Sequence, residues 1–390
     1  MGRIIIFTGK GGVGKTSVAA AHARHSALEG KRTLIVSTDM AHNLSDLFEI
    51  TIGKTIQEVS QNLFALEIDP HYVMENEFQS IKESFVNFIT SSGLTETRID
   101  QVTLFPGMDE LFSLLKILDI YESGEYERII VDCAPTGETL ALLKFPELLS
   151  WYIEKFFPVG KIAVRVLSPI SKAVFKIQLP NKTAVSDVEK IYLKMIQLQE
   201  LFKDQAVTSV RLVTMPEKMV VEETKRNYMY LNLYNFHVDG IFINRILPKD
   251  IDNPFFNEWL DIQNHYIQEL EEVFVGLPVY KIPWFDTDLN GISGIDKIDE
   301  TVLSGLDVFK IHENIQGEVY EKIEEGYKLK LYLPCVQKGE INLHESNTDV
   351  IVKIGNFKRN IPKPDSLRNC TIAGAKFEDN YLSITFLENK

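Results

Sequence analysis

A glycine-rich loop near the N-terminus is the strongest constraint on what this chain can fold into. Residues 9–16 read Gly-Lys-Gly-Gly-Val-Gly-Lys-Thr, after an apolar run at 4–7 and before an alanine-rich stretch that favours a helix. In a strand–loop–helix unit of this kind, backbone N–H groups surround phosphate oxygens and the helix presents its positive end to them. The loop therefore predicts binding of a nucleoside triphosphate.

Two lysines in this loop have different predicted roles. Lys15 is placed to reach the β- and γ-phosphates, and the Thr16 hydroxyl to ligate Mg²⁺. Lys10 occupies a position that points away from its own nucleotide, so we expect it to reach a phosphate held by a second subunit, which predicts a homodimer. The ATP contacts expected from the loop and the start of its helix are Gly11, Gly12, Val13, Gly14, Lys15, Thr16 and Ser17.

Composition narrows the class of protein. A chain of 390 residues that is 45% hydrophobic can bury a large core and a second small one. The net charge of −14 argues against a broad nucleic-acid surface, so no nucleic-acid partner is expected. A strand that begins by Ile4 leaves no room for a signal peptide, and no run of eighteen apolar residues occurs, which predicts a cytoplasmic protein without a transmembrane segment.

The three cysteines are Cys133, Cys335 and Cys370. They are far apart and form no C-x-x-C pair, so neither zinc nor an iron–sulfur cluster is expected. Each is predicted to be a small apolar core residue.

Short β-branched runs alternate with helical patterns along most of the chain. Near-continuous apolar strands are predicted at 4–7, 33–37, 129–132, 209–213 and 240–244, as expected when both faces of a parallel sheet are covered. A helix is predicted over 220–233. Together they predict an α/β fold of the P-loop NTPase type, with a doubly wound, mainly parallel sheet and ligands at the carboxyl ends of its strands.

Two stripes at helical spacing are predicted to face the core. They are Ile191, Met195, Leu198 and Phe202, and Phe256, Trp259, Gln263, Ile267, Leu270 and Phe274.

The pattern changes after about Lys310. Short alternating strands are predicted at 328–333, 340–344, 350–354, 371–377 and 381–387, separated by Gly, Pro and Asn. We predict two domains: an ATPase domain over 1–315, with a helical segment at about 140–205 as a client or dimer region, and a small all-β sandwich over 326–390.

Two polar segments follow predicted strand ends. Asp39 comes directly after the second strand, where a carboxylate can reach the γ-phosphate site and orient or deprotonate an attacking water, although an Asp there can equally cap a helix. Asp132 ends another strand, where it can hold the Mg²⁺ shell, and the following turn, Pro135 to Gly137, offers backbone donors to the γ-phosphate. Such a segment converts hydrolysis into movement.

These segments together resemble the ArsA group of arsenite-pump and tail-anchored-protein-targeting ATPases, within the superfamily of ParA, MinD and the nitrogenase iron protein. The resemblance covers roughly the first 310 residues. Beyond the phosphate loop, secondary markers occur in the right order at 67–70, 106–110, 216–217, 223–226 and 244–245.

The resemblance implies roles residue by residue. Lys10 would be the intersubunit lysine and, with Lys15, would act in catalysis beside Asp39, the water-activating residue of switch I. Thr16, Asp39 and Asp132 would form the metal shell, with Asp132 in switch II. Glu217 would contact the partner subunit's nucleotide. The base would be held by Asn244 and by the loop that contains Pro283 and Trp284.

The chain departs from the family pattern at three places. Met40 stands where the family usually has proline, and Glu138 where it usually has histidine. The base-covering loop lacks the usual acidic, glycine-ending sequence. The departures at Met40 and Glu138 remove no phosphate ligand.

The C-terminal strands resemble the small-heat-shock, α-crystallin-like domain carried by some prokaryotic members of this family. Residues 331–334 match its opening strand and residues 373–384 its closing hairpin. This resemblance implies a chaperone-associated subgroup.

The sequence also bears on what the ATPase acts upon. Arsenite binding needs thiolates, and the ATPase part holds a single cysteine, Cys133. Residues 151–175 are strongly apolar with interleaved Lys and Arg. Three interpretations stay open: a groove for a hydrophobic helix or lipid-like ligand, a helical hairpin packed on the sheet or at a dimer contact, and a peripheral membrane contact.

The leading hypothesis is a Mg²⁺-dependent ATPase, a nucleotide-switched homodimer that binds and releases a hydrophobic client. The alternative is an ATP-dependent dimer switch or scaffold without a client groove. An arsenite-pump subunit is a third hypothesis, and the placement of the cysteines argues against it.

Overall fold

The computed structural model describes residues 2–39, 43–79, 83, 108–134, 140, 187–251, 253–312, 317–324, 326–346, 348–367 and 369–388, with side chains left out at 43, 108, 110, 187–192 and 365. The predictions made for Met40, Pro135, Gly137, Glu138 and the apolar segment 151–175 lie outside the described residues.

A large sheet forms the centre of the described structure. Its 8 strands are arranged in the order β3-β4-β2-β5-β1-β6-β7-β8, and every neighbouring pair is parallel except β3 with β4. The strands are β1 (Arg3–Thr8), β2 (Thr33–Ser37), β3 (Gln57–Ser60), β4 (Leu63–Glu67), β5 (Arg128–Asp132), β6 (Thr208–Thr214), β7 (Val238–Ile246) and β8 (Val279–Pro283).

Helices cover both faces of this sheet. One buried apolar cluster joins one face to α1, α2 and α8, and another joins the opposite face to α4, α5, α6 and α7. The described α-helices are α1 (Lys15–Leu28), α2 (Asn43–Phe48), α3 (Pro70–Asn76), α4 (Met108–Ser123), α5 (Asp187–Lys203), α6 (Lys218–Leu233), α7 (Asn257–Val273) and α8 (Gly291–Ile298). The predicted α/β, doubly wound fold is confirmed.

All five predicted strands of this sheet are confirmed, and so is the predicted helix, which is α6. The strands β3, β4 and β8 were not predicted. β4 has the sequence Leu-Phe-Ala-Leu-Glu, which contains no β-branched residue, so it lacks the feature by which the other buried strands were predicted. β3 is largely exposed and polar, so it carries no apolar signal.

The stripe predicted to face the core is only partly correct along α7. Gln263, Ile267 and Leu270 are buried, but Trp259 is 48% exposed. The Gln263 side chain accepts the Leu247 N–H and donates to the Leu247 carbonyl, which explains why this polar residue of the stripe is buried. In α5, Met195, Leu198 and Phe202 are buried as predicted.

The C-terminal part is all antiparallel β structure, as predicted. A 4-stranded sheet has the order β14-β15-β10-β9, and a 3-stranded sheet has the order β11-β12-β13. The strands are β9 (Glu318–Ile323), β10 (Gly326–Tyr332), β11 (Ile341–Glu345), β12 (Asp349–Ile354), β13 (Phe357–Pro362), β14 (Cys370–Glu378) and β15 (Tyr381–Glu388). β9 and β13 were not predicted. β9 lies before residue 326, and the division into two domains at 315 and 326 stays a proposal.

This C-terminal structure packs on the end of α6. The Tyr234 hydroxyl, just after α6, donates to the Lys358 carbonyl at 2.7 Å, and the Arg359 guanidinium donates to the Leu233 carbonyl at 2.7 Å. The rings of Tyr230 and Phe357 meet edge to face. A helix C-terminus leaves carbonyls without intrahelical partners, so Arg359 satisfies one of them and complements the helix dipole.

The cysteines divide into two groups. Cys133 and Cys370 are buried, as predicted, but Cys335 is exposed, so the prediction for Cys335 was wrong. Cys335 follows β10 in a turn, with a φ of 61° that places it in the left-handed region. The turn carries its side chain out of the apolar interior.

A buried ionic network lies at the amino-terminal edge of the large sheet. Asp239 is bonded to Arg3 at 2.9 Å and to Arg211 at 3.0 Å, and the two guanidinium groups also donate to the carbonyls of Phe309 and Val308. Burial raises the pKa of the Asp239 carboxyl, but the two guanidinium groups outweigh it and hold that pKa below its usual value. The network ties the segment after α8 back to the sheet.

Candidate functional site

The glycine-rich loop joins β1 to α1 at the carboxyl edge of the sheet, where ligands were expected. Gly12 and Gly14 have φ values of 81° and 88°, in the left-handed region that favours glycine. Gly14 precedes the first turn of α1 and its carbonyl accepts the Val18 N–H at 3.1 Å. The loop therefore has the backbone that phosphate binding needs.

The loop is held by a residue of β7, which lies two strands from β1 in the sheet. The Asn244 amide donates to the Val13 carbonyl at 2.8 Å, and a β-carbon added at Gly14 would lie 2.4 Å from the Asn244 Nδ2 atom. The Asn244 Oδ1 atom accepts the Arg245 N–H at 2.9 Å, which fixes the amide orientation. This contact was not predicted. The expected contact of Asn244 with the base stays a prediction.

The Lys15 side chain folds back along the loop. Its ammonium donates to the Lys10 carbonyl at 3.3 Å, and only 7% of the residue is exposed. A buried lysine held at the loop is placed to meet phosphate oxygens rather than solvent. The role of the Lys10 side chain in a second subunit is not tested by this contact.

Asp132 ends β5 directly beside the loop strand, because it is paired with Phe7 of β1 and with Ser37 of β2. It is 1% exposed. Burial raises the pKa of the Asp132 carboxyl to about 7; the Thr16 hydroxyl and the Lys15 ammonium act in the opposite direction, and the Asp39 charge adds to the increase. The structure thus brings Lys15, Thr16, Asp39 and Asp132 to one place.

The backbone at Asp39 is held from both neighbouring strands. The Thr38 N–H donates to the Asp132 carbonyl and the Ile68 N–H to the Ser37 carbonyl, each at 3.0 Å. The Asp39 N–H donates to the Ser37 hydroxyl at 3.2 Å. Asp39 therefore begins its loop from a fixed point, and Ser37 is a supporting residue that the sequence did not reveal.

The other predicted residues lie along the same edge. Glu217 precedes α6, is exposed, and makes no side-chain cap to its own helix. Pro283 ends β8 beside Ile246, and Trp284 donates its N–H to the Ile246 carbonyl at 2.8 Å while 56% of the residue is exposed. Trp284 therefore lies beside the end of β7, the strand that carries Asn244.

The donor set can be compared with what Mg²⁺ and ATP require. Both Asp132 carboxyl oxygens are buried without a hydrogen-bond partner of normal geometry in the described part of the chain. Mg²⁺ is usually held by one or two carboxylates together with phosphate oxygens and water. Asp132 and the Thr16 hydroxyl fit that pattern, while the loop glycines and Lys15 fit the phosphates. Among the residues that the structure describes, no group of three or more His, Cys, Asp or Glu could hold a metal without such a ligand.

Fold and site together define a P-loop nucleotide-binding protein. Comparison with known proteins narrows this class. Residues 2–304 match the family model for the ArsA ATPases, described as anion-transporting ATPases, and residues 324–386 match the HSP20-like domain found in ArsA. The chain belongs to the ArsA ATPase family and is an ATPase with an HSP20-like C-terminal part.

Individual relatives agree with this assignment. A putative arsenical pump-driving ATPase of Chlorobaculum tepidum is 37% identical over 98% of this chain and 96% of its own length. A putative arsenical pump-driving ATPase 1 of Aquifex aeolicus is 30% identical over 98% of this chain and 99% of its own. The ATPase get3 of Pyrenophora tritici-repentis is 32% identical over 77% of this chain and 91% of its own.

None of the helices within the described ranges is long and apolar enough to cross a membrane.

Proposed function

We propose that this chain is a Mg²⁺-dependent ATPase that works as a nucleotide-switched homodimer and binds and releases a hydrophobic client. The observation that carries the proposal is the convergence of Lys15, Thr16, Asp39 and Asp132 at the carboxyl edge of the sheet. Those four side chains combine phosphate binding, metal binding and water activation in one place.

Each residue has a defined part in hydrolysis. Bound Mg²⁺ supplies charge neutralisation between the phosphates. Lys15 and the loop N–H groups would hold the phosphates, and the Thr16 hydroxyl and Asp132 would hold the metal. Asp39 orients the attacking water and accepts its proton, from a backbone fixed by Ser37 and Asp132.

The homodimer is supported by two residues at the edge of the site. Lys10 is a second lysine in a loop that needs only one for its own phosphates. Glu217 is an exposed acidic residue that begins α6 without capping it. A carboxyl group in that position is available to a nucleotide across a subunit boundary. Both residues lie at the carboxyl edge, where two copies would face each other.

A hydrophobic client is supported by the apolar segment 151–175, which follows the switch II segment in the sequence. Metalloid transport is not proposed, although several relatives carry arsenical pump-driving names. The chain has 3 cysteines. Of these, Cys133 is buried at the end of β5, and Cys335 and Cys370 lie in the C-terminal part.

Molar mass in solution tests the dimer. Light scattering without nucleotide, with ADP, and with a non-hydrolysable ATP analogue plus Mg²⁺ should show that the analogue strengthens a dimer. Lys10→Ala should weaken that dimer. Lys31→Ala is the matched control, because Lys31 pairs with Glu127 at the opposite edge of the sheet. A monomer under all conditions, or a dimer indifferent to nucleotide and to Lys10, contradicts the proposal.

A fluorescent transmembrane-length peptide of leucine and alanine tests the client. We expect the peptide to bind in the presence of the ATP analogue and to leave after hydrolysis of ATP. Asp39→Asn should bind ATP and retain the peptide. A nucleotide-dependent dimer that never binds the peptide would instead support a dimer switch without a client groove.

A further inference from the structure

The switch I segment runs from Asp39 to the start of α2. Its first end is held at Asp39 by Ser37, and its other end is held at Ser45. The Glu67 carboxyl group accepts two hydrogen bonds from Ser45: the backbone N–H donates to Oε1 at 2.9 Å and the hydroxyl donates to Oε2 at 2.9 Å. Ser45 lies in the first turn of α2, where backbone N–H groups have no partner within the helix. Glu67, the last residue of β4, therefore caps the N-terminus of α2.

Glu67 itself is buried within the sheet. It is the last residue of β4, it is paired with Ser37 of β2, and it is 4% exposed. Ser37 is the residue whose hydroxyl accepts the Asp39 N–H. The two ends of the Asp39 segment are therefore fixed to the same pair of neighbouring strand ends, one through Ser37 and one through Glu67.

The helix α2 has two further sets of contacts, one with the residues that follow it and one through its apolar face. The Ser45 hydroxyl accepts the Ile52 N–H at 3.1 Å, which ties the residues after α2 to its first turn. Leu44, Leu47 and Phe48 are buried in the apolar cluster shared with α1 and α8. Because α2 is packed along its length, the direction in which the chain enters it depends on the Glu67–Ser45 contact.

We propose that Glu67 is a positioning residue for ATP hydrolysis: through Ser45 it fixes the far end of the switch I segment and so holds Asp39 in the geometry for water activation. This inference rests on the proposed role of Asp39. Glu67 touches neither nucleotide nor metal in this account. Misplacement of a catalytic group by about 1 Å lowers a rate by about 100-fold, so a positioning contact of this kind has a large kinetic effect.

A pair of uncharged substitutions tests the contact. Glu67→Met keeps the volume of the side chain and removes both acceptors, whereas Glu67→Gln can accept the Ser45 N–H and donate to the Ser45 hydroxyl. We expect Glu67→Met to lower kcat about 10- to 100-fold. KM for ATP and the Kd for a fluorescent ADP analogue should stay within about threefold. Glu67→Gln should restore most of the rate.

Two further variants separate positioning from general stability. Asp69→Ala is the matched control, since Asp69 is also an acidic helix cap two residues away, bonded to the Tyr72 N–H at 2.9 Å and to Lys54, but it caps α3. It should lower the melting temperature without lowering kcat. Ser45→Ala removes the hydroxyl bond to Glu67 and the bond from the Ile52 N–H, and it leaves the bond from the Ser45 N–H to Glu67 in place. The part of its loss of kcat that arises from the Glu67 contact should not add to that of Glu67→Met.

The outcomes distinguish this inference from the proposed function. Full turnover by Glu67→Met, with turnover lost in Asp39→Asn, overturns the positioning role and leaves the function of Asp39 intact. An equal loss of kcat in Asp69→Ala and Glu67→Met also overturns it, because both would then act through stability. Full turnover by Asp39→Asn removes the proposed function on which the inference rests.

Discussion

At the scale of single residues, the phosphate loop depends on the absence of a side chain at Gly14. A β-carbon there would meet the Asn244 amide at 2.4 Å, at a φ of 88° that already disfavours other residues. Gly30 offers a comparison, because its φ is 81° and a β-carbon would meet nothing within 4 Å. The two positions share the backbone strain and differ only in the clash.

We predict that Gly14→Ala abolishes most nucleotide binding, while Gly30→Ala does not affect it. Gly30→Ala should cost about 1–2 kcal/mol of stability from the left-handed backbone alone. Gly14→Ala should cost more, since Asn244 must also give up its bond to the Val13 carbonyl. Titration with a fluorescent ADP analogue and urea unfolding of both variants measure the two effects. Equal nucleotide affinity in the two variants would contradict the predicted clash.

The buried carboxyl of Asp132 predicts a pH-dependent stability. Its pKa in the folded protein is about 7, above the value of 3.8 for an ordinary aspartate, chiefly because burial disfavours the charge. The unfolded chain therefore loses this proton first as the pH rises. From about pH 4 to pH 7, ionisation of Asp132 favours unfolding, and above pH 7 the penalty is constant.

We predict that Asp132→Asn, without nucleotide or Mg²⁺, is more stable than the original chain at pH 8. The difference in free energy of unfolding between variant and original should be about 3 kcal/mol larger at pH 8 than at pH 5, from two pH units at 1.36 kcal/mol each. Urea unfolding at both pH values measures it. Asp46→Asn, which removes an exposed carboxyl group, is the control. A difference that does not change with pH would contradict the prediction.

At the scale of elements, α6 connects the two parts of the described structure. It begins after Glu217, at the carboxyl edge of the large sheet, and it ends in contact with β13. There the Arg359 side chain donates to the Leu233 carbonyl and forms an ion pair with Glu318 at 2.8 Å. Arg359 is 4% exposed. Loss of its charge leaves a nearly buried carboxylate and a helix carbonyl without a donor.

We predict that Arg359→Met destabilises the protein by about 3 kcal/mol, the usual cost of breaking a buried ion pair. Urea unfolding, followed by far-ultraviolet circular dichroism, measures the change. Lys376→Met removes an equally charged residue whose partner, Glu378, is also exposed, and should change stability far less than Arg359→Met does. Equal effects of the two substitutions would contradict the role given to Arg359.

The elements also show how far sequence reasoning reached. The five strands with continuous apolar runs were predicted because their burial on both faces leaves a strong signal. β3 and β8 are partly exposed and carry little signal, and β4 contains no β-branched residue. Trp259 was predicted to face the core because helical spacing shows which residues share a face and does not show how far along the helix that face is covered.

At the scale of the whole molecule, the sequence predicted the fold and the group of residues around the loop. Thr16 could be proposed from the loop motif, and Asp39 and Asp132 from their positions at strand ends, because parallel strands bring their carboxyl ends to one edge. The supporting contacts of Ser37 and Asn244 could not be assigned. They depend on which strands are neighbours, and the strand order β2-β5-β1-β6-β7 is not contained in any local pattern.

The packing of the β-sandwich against the end of α6 also has an evolutionary consequence. The contact joins Tyr234, just after α6, to Lys358 in β13, which lies more than a hundred positions later in the sequence. The matched region of the fungal get3 covers 77% of this chain. If recombination moved the sandwich onto another ATPase, that ATPase would need a helix with the same contact residues at its end. We therefore expect α6 and the sandwich to be inherited together.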